Sequence, residues 1–151
     1  PPLKRLRLHP RLPIITPQRV TDHLPGWLRA TRLTPVVVLH VNHPAEIDAP
    51  VASALGRLVD AGIPLLSQTV LLRAVNDRLD VLAALLERLV DLRVMPYYLH
   101  QLDPVAGAAH FEVPVAAGRR LIEELRTRLP GYAVPRYVRE TPGGLSKQPL
   151  A

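Results

Sequence analysis

The sequence contains no cysteine, which excludes disulfides and any zinc or iron–sulfur centre held by thiolates of this chain. Aromatic residues make up only 4% of it, so nothing indicates a sugar-binding surface. No apolar run approaches the roughly 18 residues of a membrane span, and no segment has the pattern of a signal peptide. These absences favour a cytoplasmic protein without a membrane partner. Of the 151 residues, 48% are apolar, enough for the core of about one ordinary domain.

The formal net charge is +6, and most of the basic residues are arginines. A basic balance raises nucleic acid as a partner. However, the arginines are scattered along helical segments and mixed with aspartate and glutamate, a pattern typical of solvated helix faces. We therefore do not expect a nucleic-acid partner. A non-catalytic basic binding module, for example for RNA, stays as the alternative.

Three apolar runs recur at nearly equal spacing, and a helical pattern follows each of them. The runs occupy residues 36–39, 64–66 and 94–99. Strands that alternate with helices indicate a parallel sheet with helical crossovers. Four or five such units are too few to close a barrel of eight strands. The sequence therefore predicts an α/β fold, either a small open sheet or a partial (β/α) TIM-like barrel of about four to five strand–helix units.

Capping residues, prolines and glycines predict where these elements begin and end. Asp48 is expected to cap the helix after the first run. Asn76 or Asp77 is expected to cap the second helix, and Pro114 to open the third. A last strand is predicted over residues 133–138, near an edge or a bulge because it contains a proline.

Polar residues follow the predicted strands at their carboxyl ends, the edge at which α/β sheets and barrels bind ligands. They are His40, Asn42 and His43 after the first run, Gln68 after the second, His100, Gln101 and Asp103 after the third, and Arg139 and Glu140 after the last strand. One such residue is readily explained as structural, but four successive strands with polar ends predict a binding site. The pattern does not specify its chemistry.

Three alternatives for this site can be weighed from the residues alone. His40 and His43 are candidate metal ligands, but side chains three apart on a strand point to opposite faces, so no metal site is assigned. Asp103 and Glu140 would suit glycoside hydrolysis, which little else in the sequence favours. Lys147 follows a Pro-Gly-Gly turn and is either a lysine that forms a Schiff base with an aldehyde or an ordinary solvated lysine.

Six ordered motifs resemble the lysine 2,3-aminomutase family, whose members are radical S-adenosylmethionine (SAM) enzymes that use pyridoxal phosphate. The motifs lie at residues 17–21, 40–47, 68–77, 96–98, 103–111 and 131–147, so the resemblance covers essentially the whole chain. Residues 99–103 and 107–111 are most similar to the branch of the family that makes (R)-β-lysine for attachment to elongation factor P.

The resemblance implies roles for five residues of this sequence. Lys147 matches the lysine that binds pyridoxal phosphate. Asp103 and Glu140 match the two acids that receive the amino groups of the substrate lysine, although the second acid is often aspartate in the family. His40 and Gln68 match positions that line the SAM pocket. The implied reaction is the isomerisation of L-lysine to β-lysine, and a glutamate 2,3-aminomutase-like relative is the rival enzyme.

The resemblance also implies what this chain does not contain. Radical SAM enzymes hold a [4Fe–4S] cluster on three closely spaced cysteines, and this sequence has none. Residues 1–151 would thus be the C-terminal part of the barrel, inactive without the N-terminal part that carries the cysteines. Within them, residues 140–151 would form the loop and tail with the pyridoxal phosphate lysine. The oligomeric state stays open, a homo-oligomer included.

Overall fold

Six strands form one sheet, and their order across the sheet is their order along the chain. The computed structural model describes residues 2–141 and 143–151. The strands are β1 (Arg5–Leu8), β2 (Thr34–His40), β3 (Leu65–Val70), β4 (Val94–His100), β5 (Arg136–Arg139) and β6 (Gln148–Pro149). Strands β1 to β5 pair in parallel, and β6 runs antiparallel to β5. The parallel strands confirm the predicted parallel sheet of an α/β fold, whereas β6 is an addition that the sequence did not predict.

Helices fill the connections between the parallel strands. In the described residues they are α1 (Leu12–Ile15), α2 (His23–Arg29), α3 (Ala49–Asp60), α4 (Leu79–Asp91) and α5 (Val115–Arg128). Because neighbouring parallel strands are joined by right-handed crossovers, the long helices cover one face of the sheet. None of these helices is long and apolar enough to cross a membrane.

The core lies between the helices and the face of the sheet that they cover. In α3, for example, the buried residues are spaced three and four apart and form one apolar stripe. They are Val51, Ala54, Leu55 and Leu58. On the sheet, alternate strand residues point toward the helices, and these are buried in the same core. They include Val37, Leu39, Leu65, Leu99 and Tyr137.

The helix starts follow the predictions at two of three places. Asp48 caps α3, where its carboxylate accepts the backbone N–H of Val51 at 2.9 Å. α5 begins directly after Pro114, as predicted. The prediction that Asn76 or Asp77 caps α4 is wrong, because α4 begins further along the chain without a side-chain cap. Asn76 is fully buried and binds the ends of the strands instead.

The last parallel strand is shorter and later than predicted. Residues 131–133 form a turn of 3-10 helix, and β5 begins at Arg136. The reason is Pro135, which has no N–H to donate to a strand ladder, so regular pairing begins only after it.

The face of the sheet that the helices leave free is the inner face of a half-barrel. In β1, Leu6 and Leu8 pack against the core, which turns Arg5 and Arg7 to the inner face. In β2, His40 shares that face with alternate residues of the strand. The inner face therefore carries most of the polar side chains that the sheet presents.

Candidate functional site

One row of side chains crosses the inner face near the carboxyl ends of the strands. The register pairs His40 with Gln68, Gln68 with Tyr98, and Tyr98 with Arg136. Residues that pair across parallel strands point to the same face, so these four side chains lie side by side. The structure thus brings together His40 and Gln68, two predicted site residues, and adds Tyr98 and Arg136 to them.

Two adjoining clefts open at the carboxyl edge of the sheet. The smaller cleft, about 280 Å³, is lined by residues that include His40, Gln68, His100, Asp103 and Glu140. The larger, about 710 Å³, shares Asp103 and Glu140 with it and continues along the loop after β4. Four of the five predicted site residues therefore line one cleft, and the two acids stand where the clefts meet.

The fifth predicted residue, Lys147, reaches the same place from the tail of the chain. Its ammonium group forms an ion pair with the carboxylate of Glu140 and lies 5.5 Å from the centre of the Tyr98 ring. The hydrogen bond from Lys147, and then its charge, lower the pKa of Glu140 below the ordinary value. Lys147, Glu140 and Tyr98 therefore form one cluster beside the row.

Two histidines of the smaller cleft have lowered pKa values. Burial is the main cause for both His40 and His100, and neighbouring positive charges add to it. A pKa below the ordinary value of 6.5 makes both imidazoles neutral at pH 7. Within the described residues, Nε2 of His100 is buried without a hydrogen-bond partner. The histidines thus offer neutral polar groups to a ligand rather than charges.

Sequence reasoning missed Tyr98 and gave no role to His100. The two rings meet edge to face, with their centroids 5.6 Å apart. A signal for them was present, because residues two apart on a strand share a face. If His100 lies in the site, Tyr98, two residues before it on the same strand, is expected to lie beside it.

A buried hydrogen-bond network fixes the ends of β2 and β3. The side-chain amide of Asn76 donates to the carbonyls of Asn42 at 2.8 Å and Val70 at 2.9 Å. Its oxygen accepts the N–H of Leu72 at 2.8 Å. The side-chain oxygen of Asn42 in turn accepts the N–H of Val70 at 2.9 Å. This network holds the loops that follow the first two residues of the row.

A second buried network supports the loop that carries Asp103. The hydroxyl of Tyr137 donates to the side-chain oxygen of Gln101, and the amide of Gln101 donates to the carbonyl of Val113 at 2.9 Å. Gly118 of α5 faces the Tyr137 ring so closely that no side chain fits there. The strand end before Asp103 is therefore locked to α5.

The side chain of His43 caps the short 3-10 helix that follows it. Its Nδ1 accepts the N–H of Ala45 at 3.1 Å, and its own N–H donates to Glu46 at 2.9 Å. In the part of the chain that the structure describes, no group of three histidine or acidic residues is placed to hold a metal ion.

Proteins named L-lysine 2,3-aminomutase are similar in sequence to this chain over nearly its whole length. The L-lysine 2,3-aminomutase of Escherichia coli (strain K12) is 47% identical over 150 residues, which are 99% of this chain and 44% of that protein. The chain belongs, by sequence, to the lysine 2,3-aminomutase family. The L-lysine 2,3-aminomutase of Haemophilus influenzae is 43% identical over 97% of this chain and 44% of that protein. The resemblance is therefore confirmed, and the chain spans less than half the length of these two relatives.

A solved structure agrees with the fold. The chain superimposes on a radical SAM methyltransferase from Sphaerobacter thermophilus with a TM-score of 0.59, over 80% of this chain and 39% of that one. The two sequences are only 20% identical, so the likeness shows the fold alone. It confirms the half-barrel as part of a TIM-like barrel. No protein-family model matches the chain.

Proposed function

We propose that this chain is the part of a lysine 2,3-aminomutase that binds the substrate lysine and pyridoxal phosphate. The observation that carries the proposal is the meeting of Glu140 and Asp103 at one cleft, where Lys147 forms an ion pair with Glu140 beside the row that contains His40 and Gln68. The relatives of the chain are named L-lysine 2,3-aminomutase. Because the chain spans 44% of those relatives, the activity is proposed for a longer protein that contains it.

Lys147 has surroundings that fit a lysine for pyridoxal phosphate. Its side chain is 27% exposed and faces a carboxylate and an aromatic ring. The amine of Lys147 would hold the cofactor at its aldehyde carbon, with the release of one water molecule. Arg136, next to Tyr98 in the row, adds a positive charge on the same face, which suits an anionic cofactor.

The proposed reaction also uses SAM and a [4Fe–4S] cluster, and the residues of this chain fit only the first of these two cofactors. His40 and Gln68 line the smaller cleft with neutral donors and acceptors, which suit hydrogen bonds to the nucleoside part of SAM. The residues of this chain do not fit a [4Fe–4S] cluster, because the chain has no cysteine. The cluster ligands of the proposed enzyme would therefore lie outside it.

The two acids favour lysine as the substrate. Two carboxylates at one cleft attract amino groups and repel the side chain of glutamate, so they favour lysine over a glutamate 2,3-aminomutase reaction. When bound, SAM supplies a radical and pyridoxal phosphate delocalises the unpaired electron while the amino group moves from C2 to C3. The part of Asp103 and Glu140 is to bind the amino groups and to fix their orientation. Glu140 then exchanges its ion pair with Lys147 for one with the substrate.

A finer assignment concerns the product. Residues 99–103 and 107–111 support (R)-β-lysine for attachment to elongation factor P, since they are most similar to that branch of the family. His100 belongs to the first of these segments, and its ring lines the smaller cleft with both acids. Chiral analysis of the β-lysine that the longer protein forms tests this assignment, and the S enantiomer would contradict it.

The substrate assignment is tested by Asp103→Asn in the longer protein, with lysine and SAM affinities measured by calorimetry. A charge-assisted hydrogen bond contributes about 1.5–3 kcal/mol, so we expect the lysine affinity to fall about 10- to 150-fold and the SAM affinity to stay unchanged. Asp91→Asn, at the exposed end of α4, is the matched control and should change neither. An equal loss of both affinities would contradict a substrate-binding role for Asp103.

A further inference from the structure

Tyr98 stands in the row because β4 contains a bulge. Ser67 of β3 pairs with Pro96, but the next residue, Gln68, pairs with Tyr98. Tyr97 is thus the extra residue on β4. Without it, Gln68 would pair with Tyr97, and Tyr98 would point toward the helices. Bulges next to binding sites commonly re-aim a side chain in this way, so the bulge marks Tyr98 as a residue of interest.

The ring of Tyr98 is held between three neighbours. The Tyr97 ring lies 3.8 Å away between centroids, and the His100 ring meets it edge to face at 5.6 Å. The third neighbour is the ammonium group of Lys147, 5.5 Å from the ring centre. A cation within about 6 Å of an aromatic ring is attracted by the ring's negative face. The ring of Tyr98 therefore attracts the ammonium group of Lys147.

The phenol of Tyr98 is not an acid or base at physiological pH. The neighbouring Tyr97 phenol, and then burial, raise the pKa of Tyr98 above its ordinary value of 10.0, while Arg136 and Arg7 act against them. The phenol consequently stays neutral. It is the ring, and not a phenolate charge, that meets the ammonium group of Lys147.

The backbone around Lys147 leaves the position of its amine open. On one side lies the turn at Gly143, whose φ of 75° is in the region that favours glycine. Pro142, the first residue of the predicted Pro-Gly-Gly turn, lies outside the described residues. On the other side, the tail is held by the two-residue strand β6. A lysine side chain has four rotatable bonds before its amine, so Glu140 and Tyr98 decide where Nζ lies.

We propose that Tyr98 is a positioning residue for Lys147, whose ring face, together with the carboxylate of Glu140, keeps Nζ at the cleft for its reaction with an aldehyde cofactor. The inference rests on the proposed function, because it takes Lys147 as the reacting amine. A protonated C=N linkage keeps a positive charge on Nζ, so the contact with the ring persists after the condensation. Because the ring and not the hydroxyl group contacts Nζ, we expect Tyr98→Phe to preserve the position of Lys147.

The contact can be observed without any cofactor. Lys4 and Lys147 are the only lysines, so the chain produced with lysine labelled with ¹³C at Cε gives two resolvable lysine signals. We expect the Lys147 protons to lie upfield of those of Lys4, through the ring current of Tyr98, and to show nuclear Overhauser contacts with that ring. Tyr98→Leu should move the signal to the Lys4 position, and Tyr98→Phe should keep it. Tyr132→Leu, at a tyrosine that is 60% exposed, is the control.

Positioning is measured by covalent capture. The chain is incubated with pyridoxal phosphate and treated with borohydride, which adds hydride to the carbon of the C=N bond while water protonates the nitrogen. Peptide mapping then gives the ratio of label on Lys147 to label on Lys4. A cation–π contact at a partly exposed site predicts that Tyr98→Leu lowers this ratio about two- to fivefold. Tyr98→Phe should keep it.

Each result has a defined consequence. Absence of the Overhauser contact in the unmodified chain would overturn the inference, and this measurement does not depend on whether a variant folds. An unchanged capture ratio in Tyr98→Leu, or a lowered ratio in Tyr98→Phe, would overturn it as well. If the contact is present and neither the unmodified chain nor the longer protein captures label on Lys147, the proposed function fails while the contact between Tyr98 and Lys147 stands.

Discussion

Substitution by alanine is expected to have opposite effects on stability at Gly118 and at Gly56. Both lie inside helices, so alanine in place of either one gains about 1 kcal/mol of helix propensity. A Cβ on Gly56 would meet nothing within 4 Å, whereas a Cβ on Gly118 would stand 2.7 Å from Cε1 of the Tyr137 ring. Tyr137 is fully buried and bonded to Gln101, so its ring has no free space to move into.

The balance for Gly118→Ala is therefore unfavourable. Overpacking of a core costs about 1–3 kcal/mol, and an unpaired buried side-chain oxygen on Gln101 costs about 1–3 kcal/mol more. After the gain in helix propensity, we expect the free energy of unfolding to fall by about 1–5 kcal/mol. Gly56→Ala should instead raise it by up to about 1 kcal/mol. Urea unfolding followed by circular dichroism measures both.

Two results of the same experiment would contradict these expectations. If Gly118→Ala stabilises the chain as much as Gly56→Ala does, the Tyr137 ring can yield without cost. The network of Tyr137 and Gln101 would then not lock the strand end before Asp103. A loss of stability in both variants would instead contradict the account of Gly56 as a residue with free space around it.

Two further predictions concern the site. Asn76→Ala leaves three backbone groups at the strand ends without their partner, so the free energy of unfolding should fall by about 3–5 kcal/mol in urea unfolding, and a loss below about 1 kcal/mol would contradict the role of this network. The pKa of Glu140 is lowered by Lys147, so their pair contributes stability above the ordinary carboxyl pKa and loses it as the pH falls through the lowered value. Glu140 is 54% exposed at its side chain, so the contribution is below about 1 kcal/mol. Lys147→Ala should return the pKa of Glu140 toward its ordinary value in an NMR titration, and an unchanged pKa would show that the pair does not form in solution.

The alternation of apolar runs and helical patterns was enough to predict the parallel sheet. Each run supplies a strand that is buried on the helix face, and each helix buries one stripe, so the layer order follows from the two periods. The short β6 was not predictable in this way, because two residues carry no period. Helix capping was predictable where the cap and its partner are close in sequence, as for Asp48 and Val51. It failed at Asn76, whose partner Asn42 is 34 residues away in sequence and whose partner Val70 is the last residue of the preceding strand.

The sequence predicted the residues of the candidate site at the strand ends, but not the contacts among all its members. Strand ends identified His40, Gln68 and Asp103, because parallel strands bring their carboxyl ends together. The pairing of Tyr98 with Gln68 depends on the bulge in β4, which shifts the register by one residue and which the alternation of residues along the strand does not predict. The contact between Lys147 and Tyr98 depends on the path of the tail, which the glycines leave undetermined.

The central claim is that Lys147 is the amine that takes up an aldehyde cofactor at this cleft. Pyridoxal phosphate, borohydride reduction and peptide mapping test it most directly, with Lys4 as the internal reference in the same molecule. We expect the label on Lys147 in preference to Lys4, no specific label in Lys147→Arg, and an unchanged Lys147 label in Lys4→Arg. Equal labelling of both lysines, or a preference for Lys4, in the chain and in the longer protein would contradict the claim.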